Sequence, residues 1–347
     1  MLMFTNRVMV NSPNEAAFGT SFRQGSAQLG MATVSGSNKK GWAVSAADSN
    51  VGDDKALNAL VPLFKGNKRV LVYIHGNNNT PAKCFKRCDA LQALYGVEVI
   101  GFSWPSEGYS ADGTTVPGVL PTEVDGDENE LAAVKSGSDP AEGPIRSKIN
   151  RYHQATLNGK HSGEALARFL RLLATARLYA NGQPFTLAAH SLGAQYLEYT
   201  LDLSGASESV SAAQNILLLA PCVRSSGHKN WLGKMRPKGQ LFVTFNHGDS
   251  VLAAASIADN SSGPKLGTDP TTDLLRVPYM RYISCTNAAK DVGGHGYFVK
   301  DNMSKAMRRV FGRIFGSDPD MNPGEIDRDV YGMKGDEDGL TKYFNAP

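Results

Sequence analysis

One short segment near the middle of the chain carries a candidate nucleophile. Residues 189–193 read Ala-His-Ser-Leu-Gly, between a short apolar run and an amphipathic pattern that extends to residue 203. A strand, a sharp turn, a serine and a helix in that order are typical of a nucleophile elbow, usually written G-x-S-x-G, and Ala189 is the smallest substitute for its first glycine. The motif predicts that Ser191 is the nucleophile and that the backbone N–H of Leu192 stabilises an oxyanion. The alternative is a serine that only caps an ordinary helix.

A second segment could complete the oxyanion hole. The sequence His-Gly-Asn-Asn-Asn occupies residues 75–79, directly after an apolar run of β-branched and aromatic residues. A His-Gly loop at the end of such a strand supplies an oxyanion N–H, here from Asn77, and Gly76 lets the backbone approach a bound carbonyl. His75 is expected to brace this loop and not to act as a base. A plain Asn/Gly turn is the alternative.

A serine needs a base that takes its proton, and the base needs an orienting acid. When a serine stands on such an elbow, the acid and then the histidine follow it in the chain. No carboxylate occurs between Glu208 and Asp249, so Asp249 is the first acid after a later strand. Asp249 is therefore the candidate orienting acid. Its alternative role, the N-cap of a helix that begins at Ser250, is compatible with that function.

The last histidine of the chain is the candidate general base. His295 is the only histidine after Asp249, and glycines stand on both sides of it. A base that titrates near neutrality is the role that histidine suits, although an exposed loop histidine is the alternative reading. Five other histidines fit less well by their place in the chain, namely His153, His161, His190, His228 and His247.

The elements that must position these residues follow from the apolar patterns. Strands are predicted at 3–10, 41–46, 69–74, 97–104, 185–190, 215–220, 241–245 and 281–284, and helices at 81–95, 163–178, 192–203 and 303–315. Strands that alternate with helices form βαβ units, whose right-handed crossovers build a mostly parallel sheet. The sequence therefore predicts an α/β fold.

Seven segments together resemble the α/β-hydrolases, and within them the bacterial branch known as domain of unknown function 900. They are the strand and HGNNN at 70–79, the strand and FSWPSEG at 97–108, SGEALARFLRLLA at 162–174, AAHSLGAQYL at 188–197, LLLAP at 217–221, FNHGDSVL at 245–252 and GGHGYF at 293–298. The resemblance spans about residues 65–300. It implies a central sheet flanked by helices on both faces, with the nucleophile at Ser191, the acid at Asp249 and the base at His295. The branch often has an aspartate after the Ala-Pro pair, where this chain has Cys222.

The chain is expected to form one catalytic domain over residues 1–316, with a C-terminal surface tail at 317–347. A segment at 105–145 interrupts the pattern, because it is rich in Gly and Pro and carries nine acidic residues against the single basic Lys135. Loops of this length are usually lids, binding loops or disordered segments, and both a lid and a solvated insertion fit this composition.

Composition excludes several classes of function. The net charge is only +3 and the basic residues are scattered, so no nucleic-acid partner is expected. No apolar run approaches the ~18–20 residues of a membrane span, so no stable membrane insertion is expected. Four cysteines do not make a disulfide framework, which favours a reducing cytoplasm. Cys84 and Cys88 have no matching ligand pair, so they are interpreted as packing residues, and no metal or cofactor is predicted.

These observations predict a serine hydrolase that cleaves a small-molecule carboxylic ester. An amidase, a thioesterase or a phospholipase could use the same triad, and a non-catalytic binding protein could share the fold. The sequence leaves the physiological substrate and the oligomeric state open.

Overall fold

A computed structural model describes residues 1–119, 130–135, 143–261, 263–271, 273–288, 293–300, 303–318, 330–333 and 340–342. The predicted insertion at 105–145 and the predicted tail at 317–347 therefore lie partly outside the described residues.

Thirteen strands and nine helices occur in the described ranges. The strands are β1 (Leu2–Thr5), β2 (Arg7–Met9), β3 (Phe18–Phe22), β4 (Gly30–Ser37), β5 (Gly41–Asp48), β6 (Val70–Ile74), β7 (Glu98–Ser103), β8 (Phe185–His190), β9 (Asn215–Leu219), β10 (Leu241–Phe245), β11 (Met280–Ser284), β12 (Val330–Met333) and β13 (Leu340–Lys342). The helices are α1 (Asp53–Lys65), α2 (Pro81–Tyr95), α3 (Gly143–His161), α4 (Gly163–Tyr179), α5 (Leu192–Thr200), α6 (Ala206–Val210), α7 (His228–Leu232), α8 (Ser250–Ala258) and α9 (Lys305–Phe315).

Eleven of these strands form one sheet in the order β13-β12-β11-β10-β9-β8-β6-β7-β1-β4-β5, and β2 pairs with β3 apart from it. The pairs from β12 to β1 are parallel, whereas β1–β4, β4–β5 and β12–β13 are antiparallel. The predicted mostly parallel α/β-hydrolase fold is confirmed.

The central strands are apolar on both sides because helices cover the sheet. Every residue of β6, β8, β9 and β10 is buried, which is the burial pattern of strands inside a parallel sheet. From β6 the strand order runs to β7 on one side and to β8 on the other, so β6 and β8 are neighbours although about a hundred residues separate them in the chain. Ile74 pairs with Ala189 at their carboxyl ends, which brings the loops after the two strands together.

Local signals place the helix ends. Helix α2 begins where Thr80 accepts a hydrogen bond from the backbone N–H of Lys83, with Pro81 in its first turn. It ends at Gly96, which adopts a left-handed conformation with φ of 66°. These bounds match the predicted helix at 81–95.

The structure differs from the predicted elements at the N-terminal end. The strand predicted at 3–10 is two strands in different sheets, because the chain turns at Asn6 between β1 and β2. Strands β3 and β4 and helices α1 and α3 were not predicted. Helix α3 is largely polar, whereas α1 buries Ala56, Leu60 and Phe64 on one helical face despite Pro62 within it.

Two short segments of the predicted tail extend the sheet. Strand β12 pairs in parallel with β11, with Tyr331 opposite Ile283, and β13 follows it antiparallel. The sequence around them is rich in Asp and Gly, which hides these strands from pattern analysis.

None of the described helices is both long enough and apolar enough to cross a membrane.

Candidate active site

Ser191 lies on a strained turn between β8 and α5. Its backbone has φ of 52° and ψ of −120°, a region that costs a non-glycine residue about 1–3 kcal/mol and that persists only where surrounding contacts impose it. The contacts are present, since the N–H of Ser191 donates to the carbonyl of Leu219 at 2.9 Å and its own carbonyl accepts from the N–H of Cys222 at 3.0 Å. The Ser191 side chain makes no capping hydrogen bond with α5, so the simple N-cap interpretation is wrong.

The small residues around Ser191 are required by close backbone approach. A Cβ added to Gly193 would lie 2.5 Å from the carbonyl oxygen of His75, and one added to Gly76 would lie 2.8 Å from the Cβ of Ser191. Both distances are shorter than any tolerated contact. The loop after β6 and the turn after β8 therefore lie directly against each other.

A buried acid–base pair joins the loops after β10 and β11. The ring Nδ1 of His295 lies 2.7 Å from Oδ2 of Asp249, and both side chains are almost wholly buried. An ionised carboxylate can only accept, so Nδ1 donates and Nε2 is left as the basic nitrogen. Oδ1 of Asp249 also accepts from the N–H of Leu252 at 3.0 Å, so Asp249 caps α8 as well as holding the imidazole.

The histidine loop is held against the acid loop by two further hydrogen bonds. Nδ2 of Asn246 donates to the carbonyl of Gly294 at 2.8 Å, and the N–H of Ser250 donates to the carbonyl of Gly293 at 3.0 Å. Gly294 has φ of 63°, and a Cβ there would lie 2.3 Å from Nδ2 of Asn246. Asn246 was not singled out in the sequence, because a loop asparagine carries no distinctive spacing.

His190 connects the elbow to the acid–base pair. Its ring centroid lies 4.7 Å from that of His295 and 5.0 Å from that of Phe298. Since His190 directly precedes Ser191, this contact brings the turn after β8 next to the imidazole of the loop after β11.

The loop that carries Asn77 rests on Trp104. The backbone N–H of Trp104 donates to Nε2 of His75 at 3.0 Å, its indole N–H donates to the carbonyl of His75 at 2.8 Å, and the two rings are stacked. Beyond Asn77, the N–H of Asn78 donates to the carbonyl of Ser106 at 2.8 Å. His75 therefore braces the loop through an acceptor nitrogen that protonation would remove.

Asn77 and Leu192, the two residues with the predicted oxyanion N–H groups, follow adjacent strands. Asn77 is half-buried in the loop after β6, and Leu192 is the first residue of α5. A first-turn N–H has no partner within its own helix, so the Leu192 N–H is available to an acceptor at the helix start, where the helix dipole favours negative charge.

An ion pair beneath this loop was not predicted. Arg7 and Glu107 are both buried, and their Nη2 and Oε2 atoms lie 2.6 Å apart. The same guanidinium nitrogen donates to the carbonyl of Trp104 at 2.6 Å, and Oε2 of Glu107 accepts from the N–H of Ser106 at 2.7 Å. Arg7, His75, Trp104 and Glu107 form the Arg7 network, which ties β2 and the loop after β7 to the loop after β6.

Cys222 occupies the place where an aspartate would offer a second acid. Its thiol is buried 3.5 Å from the hydroxyl of Tyr152, and burial raises its pKa, with partial opposition from Lys265. The thiol is therefore protonated at neutral pH and supplies no carboxylate substitute.

The remaining candidates have partners of their own. His228 lies against the hydroxyl of Tyr282, His153 against the carbonyl of Ala258, and the backbone N–H of His247 donates to Thr286. Cys84 and Cys88 are buried free thiols. Within the described ranges no three His, Cys, Asp or Glu side chains are grouped as metal ligands.

Comparison with known proteins supports the same architecture. The model of a family described as an alpha/beta hydrolase of unknown function (DUF900) matches residues 54–268, a range that includes Asn77, Ser191 and Asp249 and ends before His295. No curated protein and no solved structure matches the chain. The match covers more than half of the sequence, and the chain belongs to this family of alpha/beta hydrolases of unknown function.

Proposed function

We propose that the protein cleaves carboxylic esters through an acyl-enzyme intermediate, with Ser191 as nucleophile, His295 as general base and Asp249 as orienting acid. The observation that carries the proposal is the buried hydrogen bond of 2.7 Å between Nδ1 of His295 and Asp249, beside a serine in a strained backbone conformation. Such strain is stored at functional sites more often than elsewhere.

In the first step the hydroxyl oxygen of Ser191 attacks the ester carbonyl and its proton moves to Nε2 of His295. Asp249 stabilises the imidazolium that forms, because it accepts the hydrogen bond from Nδ1. The oxyanion lies between the N–H groups of Asn77 and Leu192, on loops that follow neighbouring strands. His295 then protonates the leaving alcohol, and water hydrolyses the acyl-enzyme by the same route.

The test is hydrolysis of short-chain nitrophenyl esters by the parent and by Ser191→Ala. We expect kcat to fall at least about 10³-fold, because the nucleophile is lost while binding groups remain. Ser45→Ala is the matched control, since Ser45 lies on β5 at the far end of the sheet. A fluorophosphonate probe should label the parent and the control but not Ser191→Ala. Equal turnover by parent and Ser191→Ala would refute the proposal.

An ester, an amide and a thioester of the same acyl group separate the chemistries that one triad can perform. We expect a higher kcat/KM for the ester than for the amide, because an alkoxide leaves more readily than an amide nitrogen and needs less precise protonation by His295. A protein that cleaves none of the three and ignores the probe would be a binding protein on a hydrolase fold.

A further inference from the structure

The 265–267 segment, between α8 and β11, runs beside the loop that follows β9. The backbone N–H of Leu266 donates to the carbonyl of Val223 at 2.8 Å, and the N–H of Gly267 donates to the carbonyl of Pro221 at 2.9 Å. A Cβ added to Gly267 would lie 2.6 Å from the backbone nitrogen of Pro221, so the two backbones are in direct contact there. The segment is therefore fixed against the loop after β9.

On one side the segment is connected to the elbow. Pro221, which accepts the hydrogen bond of Gly267, directly precedes Cys222. The N–H of Cys222 donates in turn to the carbonyl of Ser191 at 3.0 Å. Two hydrogen bonds on neighbouring residues therefore connect Gly267 to the strained turn that carries the nucleophile.

On the other side the same glycine is connected to the histidine loop. The carbonyl of Gly267 accepts a hydrogen bond from the N–H of Asn246 at 2.9 Å. Nδ2 of Asn246 donates to the carbonyl of Gly294, the residue before His295, at 2.8 Å. A continuous chain of hydrogen bonds thus runs from the nucleophile through Gly267 to the base.

Lys265 fastens the segment to two helices. Its side chain is almost wholly buried, and its ammonium forms an ion pair with the carboxylate of Asp259, directly after α8. The ammonium also donates to the hydroxyl of Tyr152 on α3 at 3.2 Å, and this hydroxyl donates to Asp259 at 3.2 Å. The thiol of Cys222 lies 3.5 Å from the same hydroxyl. Lysine is almost never fully buried unless it is paired, and here the pair lies next to both strands of the connection.

We propose that Lys265 is a positioning residue of the proposed triad, because it fixes the 265–267 segment and through it the place of Ser191 relative to His295. The proposal rests on the ester-hydrolase function proposed above. A general base must lie within hydrogen-bonding reach of the proton that it removes, and a misplacement of about 1 Å can cost about 100-fold in rate. An ion pair that only stabilised the fold would leave kcat unchanged in the folded protein.

The experiment measures hydrolysis of a nitrophenyl ester by the parent, by Lys265→Met and by Arg168→Met, below the temperature at which any of them unfolds. We expect Lys265→Met to lower kcat about 10–100-fold with KM nearly unchanged, because the substrate still binds while the base is displaced. Arg168→Met is the matched control, since it breaks an ion pair with Asp53 that joins α4 to α1. Equal kcat in Lys265→Met and the parent, or equal losses in Lys265→Met and Arg168→Met, would overturn the proposal.

Two further variants separate positioning from a general loss of stability. Asn246→Ala breaks the other end of the same chain of hydrogen bonds, so the double variant with Lys265→Met should lose no more kcat than the more damaging single variant. Losses that multiply would show that the two residues act independently. Tyr152→Phe removes only the hydroxyl that accepts from Lys265, and it should lower kcat at least about threefold, the size of one neutral hydrogen bond. Should Lys265→Met not fold, an unchanged kcat in Tyr152→Phe would refute the positioning role.

Hydrogen–deuterium exchange separates failure of this inference from failure of the ester-hydrolase proposal, because it needs no turnover. Lys265→Met should speed exchange of the backbone amides of Cys222 and Asn246 together, by at least about tenfold, the size of one charge-assisted hydrogen bond. Arg168→Met should leave both amides at the parent rates. Faster exchange of both amides supports the connection even if no ester is cleaved. Unchanged exchange at either amide overturns the connection and leaves the proposed catalysis standing.

Discussion

On the β6–β7 side of Ser191, buried polar groups bind one another, whereas beside α5 a cavity of about 570 Å³ is lined in part by the exposed Arg224 and the half-buried Gln195 and Glu198. The four residues of the Arg7 network each hydrogen-bond to another member, and all four are buried. Around the cavity, Arg224 and the amide oxygen of Gln195 have no such partner in the described part of the chain. The Arg7 network can hold the loop after β6 in place, and the cavity has groups that a ligand could bind.

The difference has a physical reason. An oxyanion hole stabilises charge only if its donors are already in place, so the loop beneath it must not reorganise during the reaction. A ligand-binding cavity needs the opposite, namely polar groups that stay unsatisfied until a ligand arrives, because only those groups can contribute new hydrogen bonds. Substitutions on the first side should therefore reduce stability and kcat.

The largest expected effect is on the Arg7 network. Glu107→Gln removes the charge that pairs with the buried guanidinium of Arg7, and breaking a buried ion pair from one side costs about 3–5 kcal/mol. Urea denaturation measures the free energy of unfolding. The exposed pair of Lys55 and Asp48 is the matched comparison, since Asp48→Asn should cost less than about 1 kcal/mol. Equal losses in the two variants would show that the network contributes no more than a surface pair.

A smaller effect is expected from the brace under the oxyanion loop. His75→Phe keeps an aromatic ring against Trp104 but removes the acceptor for the Trp104 N–H, so the Asn77 N–H should shift from its place. We expect kcat on a nitrophenyl ester to fall about 10–100-fold with KM nearly unchanged. His161→Phe, at the exposed end of α3, is the control. A rise in KM with kcat unchanged would mean that His75 acts on substrate binding and not on the oxyanion loop.

The smallest expected effect concerns Glu198 in the cavity wall. Its pKa is raised to about 7 in the folded protein, above the ordinary value of 4.5, so between these values the folded state keeps a proton that the unfolded chain has lost. The free energy of unfolding therefore falls as the pH rises through this window. Glu198→Gln should gain about 1–3 kcal/mol relative to the parent when the pH is raised from 5 to 8.

Urea denaturation at both pH values measures this change. Glu164→Gln, which removes an exposed carboxyl on α4, gives the reference for the loss of one surface charge. If both variants show the same pH dependence relative to the parent, the buried environment of Glu198 does not affect its titration.

Much of the fold was predictable because its strongest signals are local. The apolar runs at 69–74, 185–190 and 241–245 correspond to strands β6, β8 and β10. The helix predicted at 81–95 is capped by Thr80 and Gly96. Helix α3 was missed because its sequence is largely polar, whereas α1 was missed although Ala56, Leu60 and Phe64 fall on one helical face.

By itself the sequence determined the order of the chemistry-bearing residues and the small residues that let their loops approach. The serine, the acid and the histidine stand in chain order at 191, 249 and 295, and Gly76 and Gly193 mark the close contacts around the turn. Only the tertiary structure decided what surrounds them. The Arg7–Glu107 pair joins residues a hundred apart, and the cavity takes its wall from separate elements. Long-range pairing and cavities arise from packing in three dimensions, and no local pattern records them.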